Sequence, residues 1–308
     1  MTTTTFTPAV TPSGAPNVSG GAAARIHRIV VATGGDPTCQ AALRAAHDIA
    51  TRHGAHVTVV SVFQPRYPYP TPSADREHPV ISPSDRDPAR RQLAAVRQQL
   101  ALPGLGAEQW SLAFVAGQPA YNITRLAKDE HADLVIIGLG RENAAERGLG
   151  DRGSMATAAN VQGPLLAVSS SYGGETRDVM VAVGSDTSAA GAVQVAQEAF
   201  PAPERLYLVH VDDPTSRVRE ATTRRNLDAV RGALTSWGTA RVETWVTRGE
   251  AIDQLLSFAQ EHEVDLVVGG LHGRTFHERA IMHNAALWLM AIGDRSVLLV
   301  PPQEQASS

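Results

Sequence analysis

Residues 117–139 read GQPAYNITRLAKDEHADLVIIGL, and residues 249–271 read GEAIDQLLSFAQEHEVDLVVGGL. Laid over one another without a gap, they coincide at Gly117/Gly249, Ala127/Ala259, Asp133/Asp265, Leu134/Leu266, Val135/Val267, Gly138/Gly270 and Leu139/Leu271. A second pair, VATGGDPTC at 31–39 and VAVGSDTSA at 181–189, matches in the same order along the chain. Self-similarity that keeps its order is the signature of duplication. The chain therefore reads as two copies of one domain, residues 26–170 and 176–302, with a linker in the Gly/Ser-rich stretch Ser169–Thr176, SSSYGGET.

Each copy alternates apolar runs with helical patterns. Strands are expected near Ile29–Thr33, His56–Phe63, Trp110–Val115, Asp133–Gly138 and Leu165–Val168, and again near Val179–Val183, Leu206–Val211, Val242–Val246, Asp265–Gly269 and Val297–Val300. Runs such as Leu134-Val135-Ile136-Ile137 are apolar at consecutive positions, as in parallel strands covered on both faces. Between Thr38 and Arg52, Ala42, Ala45, Ala46 and Ile49 share one helical face, and Asp36-Pro37 just upstream offers a cap and an opening proline. Right-handed crossovers would wind each copy into a doubly wound, five-stranded parallel sheet.

Two segments break the rhythm. Gln64–Arg90 holds seven of the 19 prolines and is expected to be an exposed loop. The first 25 residues include 19 that are Thr, Pro, Gly, Ser or Ala, with Arg25 the one charge, and read as a flexible tail without the pattern of a secretory signal.

Composition narrows the function classes. The 308 residues are 43% hydrophobic and 19% charged, an ordinary globular balance. With 27 basic and 31 acidic side chains the formal charge is −4, so nothing draws the chain toward nucleic acid or anionic lipid, and neither is expected as a partner. No apolar run approaches the roughly 18 residues of a membrane span. One cysteine, Cys39, excludes a disulfide framework, a four-cysteine zinc site and a C-x-x-C pair; it fits a reducing cytoplasm and reads as a small apolar residue near the first helix. No Walker loop or G-x-S-x-G elbow occurs, the Gly34-Gly35 pair after the first strand is not the dinucleotide G-x-G-x-x-G, and no catalytic residue is nominated. His272, His277 and His283 lie close in sequence but read as a solvated loop, so no protein metal site is expected.

The repeated G-(E/Q)-x-x-x-x-(I/L)-x-x-x-A-x-x-x-x-x-D-L-(I/V)-(I/V)-x-G, with LHGR at 271–274 and the closing VLLVP at 297–301, resembles the universal stress protein family in its tandem, two-domain form. The resemblance implies an α/β fold of the adenine nucleotide alpha hydrolase-like kind, edge-strand pairing that makes the two halves an intramolecular pseudo-dimer with further homodimerisation open, and in some members a bound ATP. Its nucleotide-binding branch carries G-x-x-G-x9-G-(S/T), whose glycines admit a triphosphate close to the backbone at a helix N-terminus.

Neither half keeps that motif whole. In the second half Gly270, Gly273 and Arg274 match, and Asn284 follows His283 where Gly-Ser would stand. With Gly184, Asp186 and Val211 these form the preferred cofactor-binding set. In the first half Gly138 and Gly140 are followed by Arg141 in place of the second glycine, with Gly153-Ser154 two residues late; with Gly34 and Asp36 they form the weaker set. Asp36 and Asp186 read either as helix caps or as nucleotide contacts. The ligand implied is ATP or AMP, with magnesium only as the nucleotide's companion. The function implied is a cytoplasmic, non-catalytic stress-response protein acting as a nucleotide sensor or as a scaffold for a protein partner. Because TGGDPT is loosely similar to the S-G-G-x-D-S loop of adenylating enzymes, the alternative is ATP-dependent substrate activation.

Overall fold

A computed structural model describes residues 7–8, 26–36, 39–65, 83–101, 109–139, 152–184, 188–212, 220–271, 290 and 295–301. The chain divides into two compact units between Gly174 and Glu175, and Thr7–Pro8 belong with the second.

In the first unit the order is β2 (Arg28–Ala32), α1 (Gln40–His53), β3 (His56–Phe63), α2 (Arg86–Leu100), β4 (Trp110–Ala116), α3 (Pro119–Asp129), β5 (Leu134–Leu139), α4 (Arg152–Asn160) and β6 (Leu165–Ser169). Its strands lie in the order β6-β5-β2-β3-β4, all parallel. The second unit repeats this with β7 (Asp178–Ala182), α5 (Ser188–Ala199), β8 (Arg205–Asp212), α6 (Glu220–Gly232), β9 (Arg241–Arg248), α7 (Ala251–Glu261), β10 (Leu266–Gly270) and β11 (Ser296–Val300). There the order is β11-β10-β7-β8-β9, again parallel. In both, the chain starts in the middle of the sheet, runs to one edge, and crosses back to the other side of the first strand. Central strands with helices on both faces bury nearly everything they carry: Val31, Leu134, Ile136, Val181, Leu208 and Leu266 have no measurable exposure.

The repeated identities have structural causes. Asp133 Oδ2 accepts from the backbone N–H of His27 (2.7 Å) and Arg28 (2.9 Å), and Asp265 Oδ2 from those of Arg177 (2.8 Å) and Asp178 (3.0 Å). Each aspartate thus ties the start of its fourth strand to the start of its first, a charge-assisted bond to donors the ladder leaves over. Gly117 and Gly249 sit at φ 133° and 141°, which a side chain tolerates poorly. Ala127 and Ala259 are buried on α3 and α7, and their carbonyls accept from Ala132 and Val264 at the helix ends.

Three expectations are corrected. Helix α1 begins at Gln40 with Cys39 at the N-cap, which makes no side-chain cap bond, so Asp36 stands three residues too early to hold that position. The loop expected over Gln64–Arg90 ends early, because Pro83–Asp85 form a 3₁₀ turn leading into α2 and Asp85 is buried. Pro88 lies in the first turn, where a missing N–H costs nothing. The division between the units falls inside the expected linker, where Tyr172 is packed down, and burial first, then the carboxylate of Asp48, pushes its hydroxyl up to about 12. In the leading segment, Thr7–Pro8 form a short strand, β1, antiparallel to β9.

Candidate functional site

The first unit holds a cavity of about 360 Å³ at the carboxyl ends of its strands. Ala32, Thr33 and Gly34 leave β2, Val60, Val62 and Gln64 end β3, and Ile137 and Gly138 end β5. Strand β2 has β3 on one side and β5 on the other, so the cavity opens where the winding reverses, the usual ligand crevice of open α/β sheets. Pro119 and Ile123 of α3, Cys39 at the start of α1, and Ser154 and Thr157 of α4 complete the wall. The described wall thus combines aliphatic surface with hydroxyls, an amide and a thiol, and carries no charged side chain. Ser154 is the third residue of the nine-residue helix α4, in the first turn, where backbone N–H groups and the helix dipole favour an anion, and Thr157 lies about one turn further along.

The loop after β2 is held from behind. Thr33 donates to Gln99 Oε1 (3.0 Å), Gln99 Nε2 donates to the Asp36 carbonyl (2.6 Å), and the Gly35 N–H donates to Thr33 Oγ1 (3.1 Å). Gly35 has φ 86°, and a Cβ there would press on Ala95 and Val96 of α2. The Cys39 thiol donates to Asp36 Oδ2 (3.2 Å). Burial, reinforced by that carboxylate, pushes the thiol up to about 11, so at neutral pH it is a neutral wall group rather than a nucleophile.

The second unit fixes its corresponding loop by the same device. Asn226 Nδ2 of α6 donates to the Gly184 carbonyl (3.1 Å). Val183 stands where the first copy has Thr33, and the fully buried Asn226 Oδ1 has no hydrogen-bond partner among the described residues. Neither Gln99 nor Asn226 was singled out from sequence. Their signal is a polar residue set in a buried helical stripe: Ala89, Val96 and Gln99 on α2, and Asn226, Val230 and Ala233 on α6 and its end.

Of the first-half residues chosen from sequence, Gly34, Gly138 and Ser154 come together on the cavity wall. Asp36 is exposed beside Cys39, outside the lining, while Gly153 is the second residue of α4. Gly140 lies outside the described residues, as do Asp186, Gly273, Arg274 and Asn284 of the second-half set, and His272, His277 and His283. Val211 is half-buried in β8. Gly270 ends β10, and a Cβ on it would overlap the side chain of Ser188 at the start of α5 and come within 3.2 Å of its carbonyl carbon. Gly138 thus lines the cavity of the first unit, and Gly270 gives room to the start of α5 in the second. Among the described residues no group of three or more His, Cys, Asp or Glu is arranged to hold a metal ion. No helix among them is long and apolar enough to cross a membrane.

The family model described as the universal stress protein family matches residues 25–169 and again 175–301. The chain belongs to the universal stress protein family. The two matches follow the two units closely, as a tandem member requires. A universal stress protein from Archaeoglobus fulgidus DSM 4304 has a similar fold at TM-score 0.63 and 13% identity, over 91% of this chain and 98% of that one. A protein of unknown function from Pseudomonas aeruginosa PAO1 follows at TM-score 0.56 and 16% identity, over 90% and 93%. A universal stress protein solved in complex with cAMP aligns with 48% of this chain and 100% of its own, at TM-score 0.36 and 21% identity. No curated protein matches the chain in sequence.

Proposed function

We propose that this universal stress protein is a non-catalytic cytoplasmic sensor whose first half holds an adenine nucleotide, ATP or AMP, in the cavity at the ends of β2, β3 and β5. One observation carries the reading: Gly138, in the repeated strand end, lines a cavity of about 360 Å³, within the span of roughly 300–1,000 Å³ typical of small-molecule sites. The aliphatic walls from Val60, Val62, Ile123 and Ile137 suit an adenine ring. Thr33, Gln64 and the Gly34 and Gly138 backbone offer polar groups to base and ribose. Ser154, Thr157 and the start of α4 face the phosphates. The described wall offers no histidine, carboxylate or lysine to move a proton, and its thiol is held neutral. That inventory suits holding a ligand better than transforming one.

Native mass spectrometry of freshly purified protein tests this. A retained mass equal to ATP or AMP is expected, together with no pyrophosphate release from ATP across a panel of carboxylic acid and amine acceptors. A bare chain that also fails to take up added ATP overturns the reading in favour of a scaffold, and acceptor-dependent pyrophosphate overturns its non-catalytic part.

A further inference from the structure

Helix α2 contributes no residue to the cavity wall of the first unit. Two of its glutamines, Gln92 and Gln99, nevertheless stand about two turns apart on one face and end on two different segments of that wall. At the end of β2, Gln99 Oε1 accepts from the hydroxyl of Thr33 (3.0 Å) and Gln99 Nε2 donates to the Asp36 carbonyl (2.6 Å). At the end of β3, Gln92 Nε2 donates to Ser61 Oγ (2.9 Å) and to the Val62 carbonyl (3.1 Å). Strand alternation explains the second grip: Val60 and Val62 line the cavity, so Ser61 between them turns to the other face and is fully buried there.

The two grips flank the closest approach of loop and helix. A Cβ on Gly35 would stand 3.1 Å from Ala95, 3.2 Å from Val96 and 3.3 Å from the Gln92 carbonyl oxygen, so the loop after β2 already rests on α2 with no room to settle closer. Replacing either glutamine by an apolar residue leaves buried polar partners without their bonds, and the segment it held gains freedom. A wall held in its binding geometry before the ligand arrives loses less binding energy to ordering.

We propose that Gln92 and Gln99 are positioning residues of the nucleotide site: α2 fixes the spacing of the β2 and β3 wall segments and so sets the affinity for a ligand it does not line. The role rests on the reading of this cavity as a nucleotide site. Coupling of this kind is reciprocal, so a bound nucleotide also steadies α2.

The test is titration calorimetry with ATP and AMP on the wild type, Gln92→Met, Gln99→Met and Asn226→Leu, each at a temperature where circular dichroism shows it folded. Methionine keeps the length of glutamine without its hydrogen bonds, and Asn226→Leu removes the corresponding grip on Gly184 in the second unit. Each glutamine variant is expected to bind at least about tenfold more weakly, whereas Asn226→Leu lowers the unfolding temperature and leaves affinity unchanged. In the wild type, saturating nucleotide is expected to slow hydrogen exchange in residues 92–100. Iodoacetamide labelling of Cys39 without nucleotide is the independent arm: because the Cys39 thiol bonds to Asp36, whose carbonyl Gln99 holds, Gln99→Met is expected to label severalfold faster than the wild type and Asn226→Leu at the wild-type rate. Undiminished affinity in either glutamine variant, or an equal loss in Asn226→Leu, overturns the positioning role. A wild type that binds neither nucleotide removes the nucleotide reading instead; the labelling arm then decides whether α2 sets the wall, and an unchanged rate in Gln99→Met overturns that too.

Discussion

Gly270→Ala is expected to destabilise the second unit by about 1–3 kcal/mol, the usual cost of forcing a methyl group into a filled space. The direction is informative. A glycine replaced by alanine at an ordinary φ normally stabilises by about 0.4–1 kcal/mol, because the unfolded chain loses freedom. Gly270 is not among the glycines with positive φ, so backbone strain gives no reason to expect harm. Packing does: the added carbon would fall on Ser188, the first residue of α5, whose following turns bury Ala189, Ala192 and Val193 against the sheet. The helix start must move or the strand must. Urea unfolding followed by circular dichroism reads the loss, and hydrogen exchange in residues 188–199 localises it. Ser188→Gly in the same chain removes the colliding atoms and is expected to restore most of the stability. A Gly270→Ala protein as stable as the wild type would mean that this glycine is not a packing requirement.

The second large effect concerns Cys39. As the sole cysteine, it makes a thiol reagent report on one position of the cavity wall. Moving the thiol from 9.0 to about 11 lowers the thiolate fraction near pH 8 about a hundredfold. The more basic thiolate is the better nucleophile and recovers nearly a factor of ten, so the net expectation is alkylation about tenfold slower in the native protein than in urea. Partial burial adds to the slowing. Because the folded state favours the protonated thiol, its contribution to stability is complete below pH 9 and is lost as the pH rises toward about 11. Equal rates of iodoacetamide labelling in native and unfolded protein would show that the thiol is neither buried nor held by Asp36.

How far these features were readable in the sequence depended on how local their causes are. All ten parallel strands fall within two residues of the expected runs at either end, because a strand covered on both faces must be apolar throughout, as Leu134–Ile137 and Leu206–Val209 are. The repeat exposed Asp133/Asp265 and Gly117/Gly249 as special, and the reasons are an inter-strand tie and a positive φ. The start of α1 was misplaced because Asp36-Pro37 imitates a cap, while the chain first makes the Gly35 turn and only then enters the helix. Gln99 and Asn226 were missed because a buried amide earns its place only through the loop it grips, a partner more than 40 positions away in each case. What Gly138 and Gly270 meet in space, a cavity wall for the first and Ser188 for the second, is likewise set by distant residues and not by the letters of the repeat.

Isothermal titration of ATP and AMP into the full chain, beside a Gly138→Val variant, tests the nucleotide reading most directly. A branched side chain at 138 suits a β-strand but takes space on the cavity wall, so the fold should persist while the site narrows. The wild type is expected to bind one nucleotide in the first half, and the variant to bind it at least tenfold more weakly, a loss of about 1.4 kcal/mol or more, with unchanged thermal unfolding. Undiminished affinity in the variant would contradict the account by placing the ligand away from the β2, β3 and β5 crevice, and the absence of heat from the wild type would contradict nucleotide binding itself.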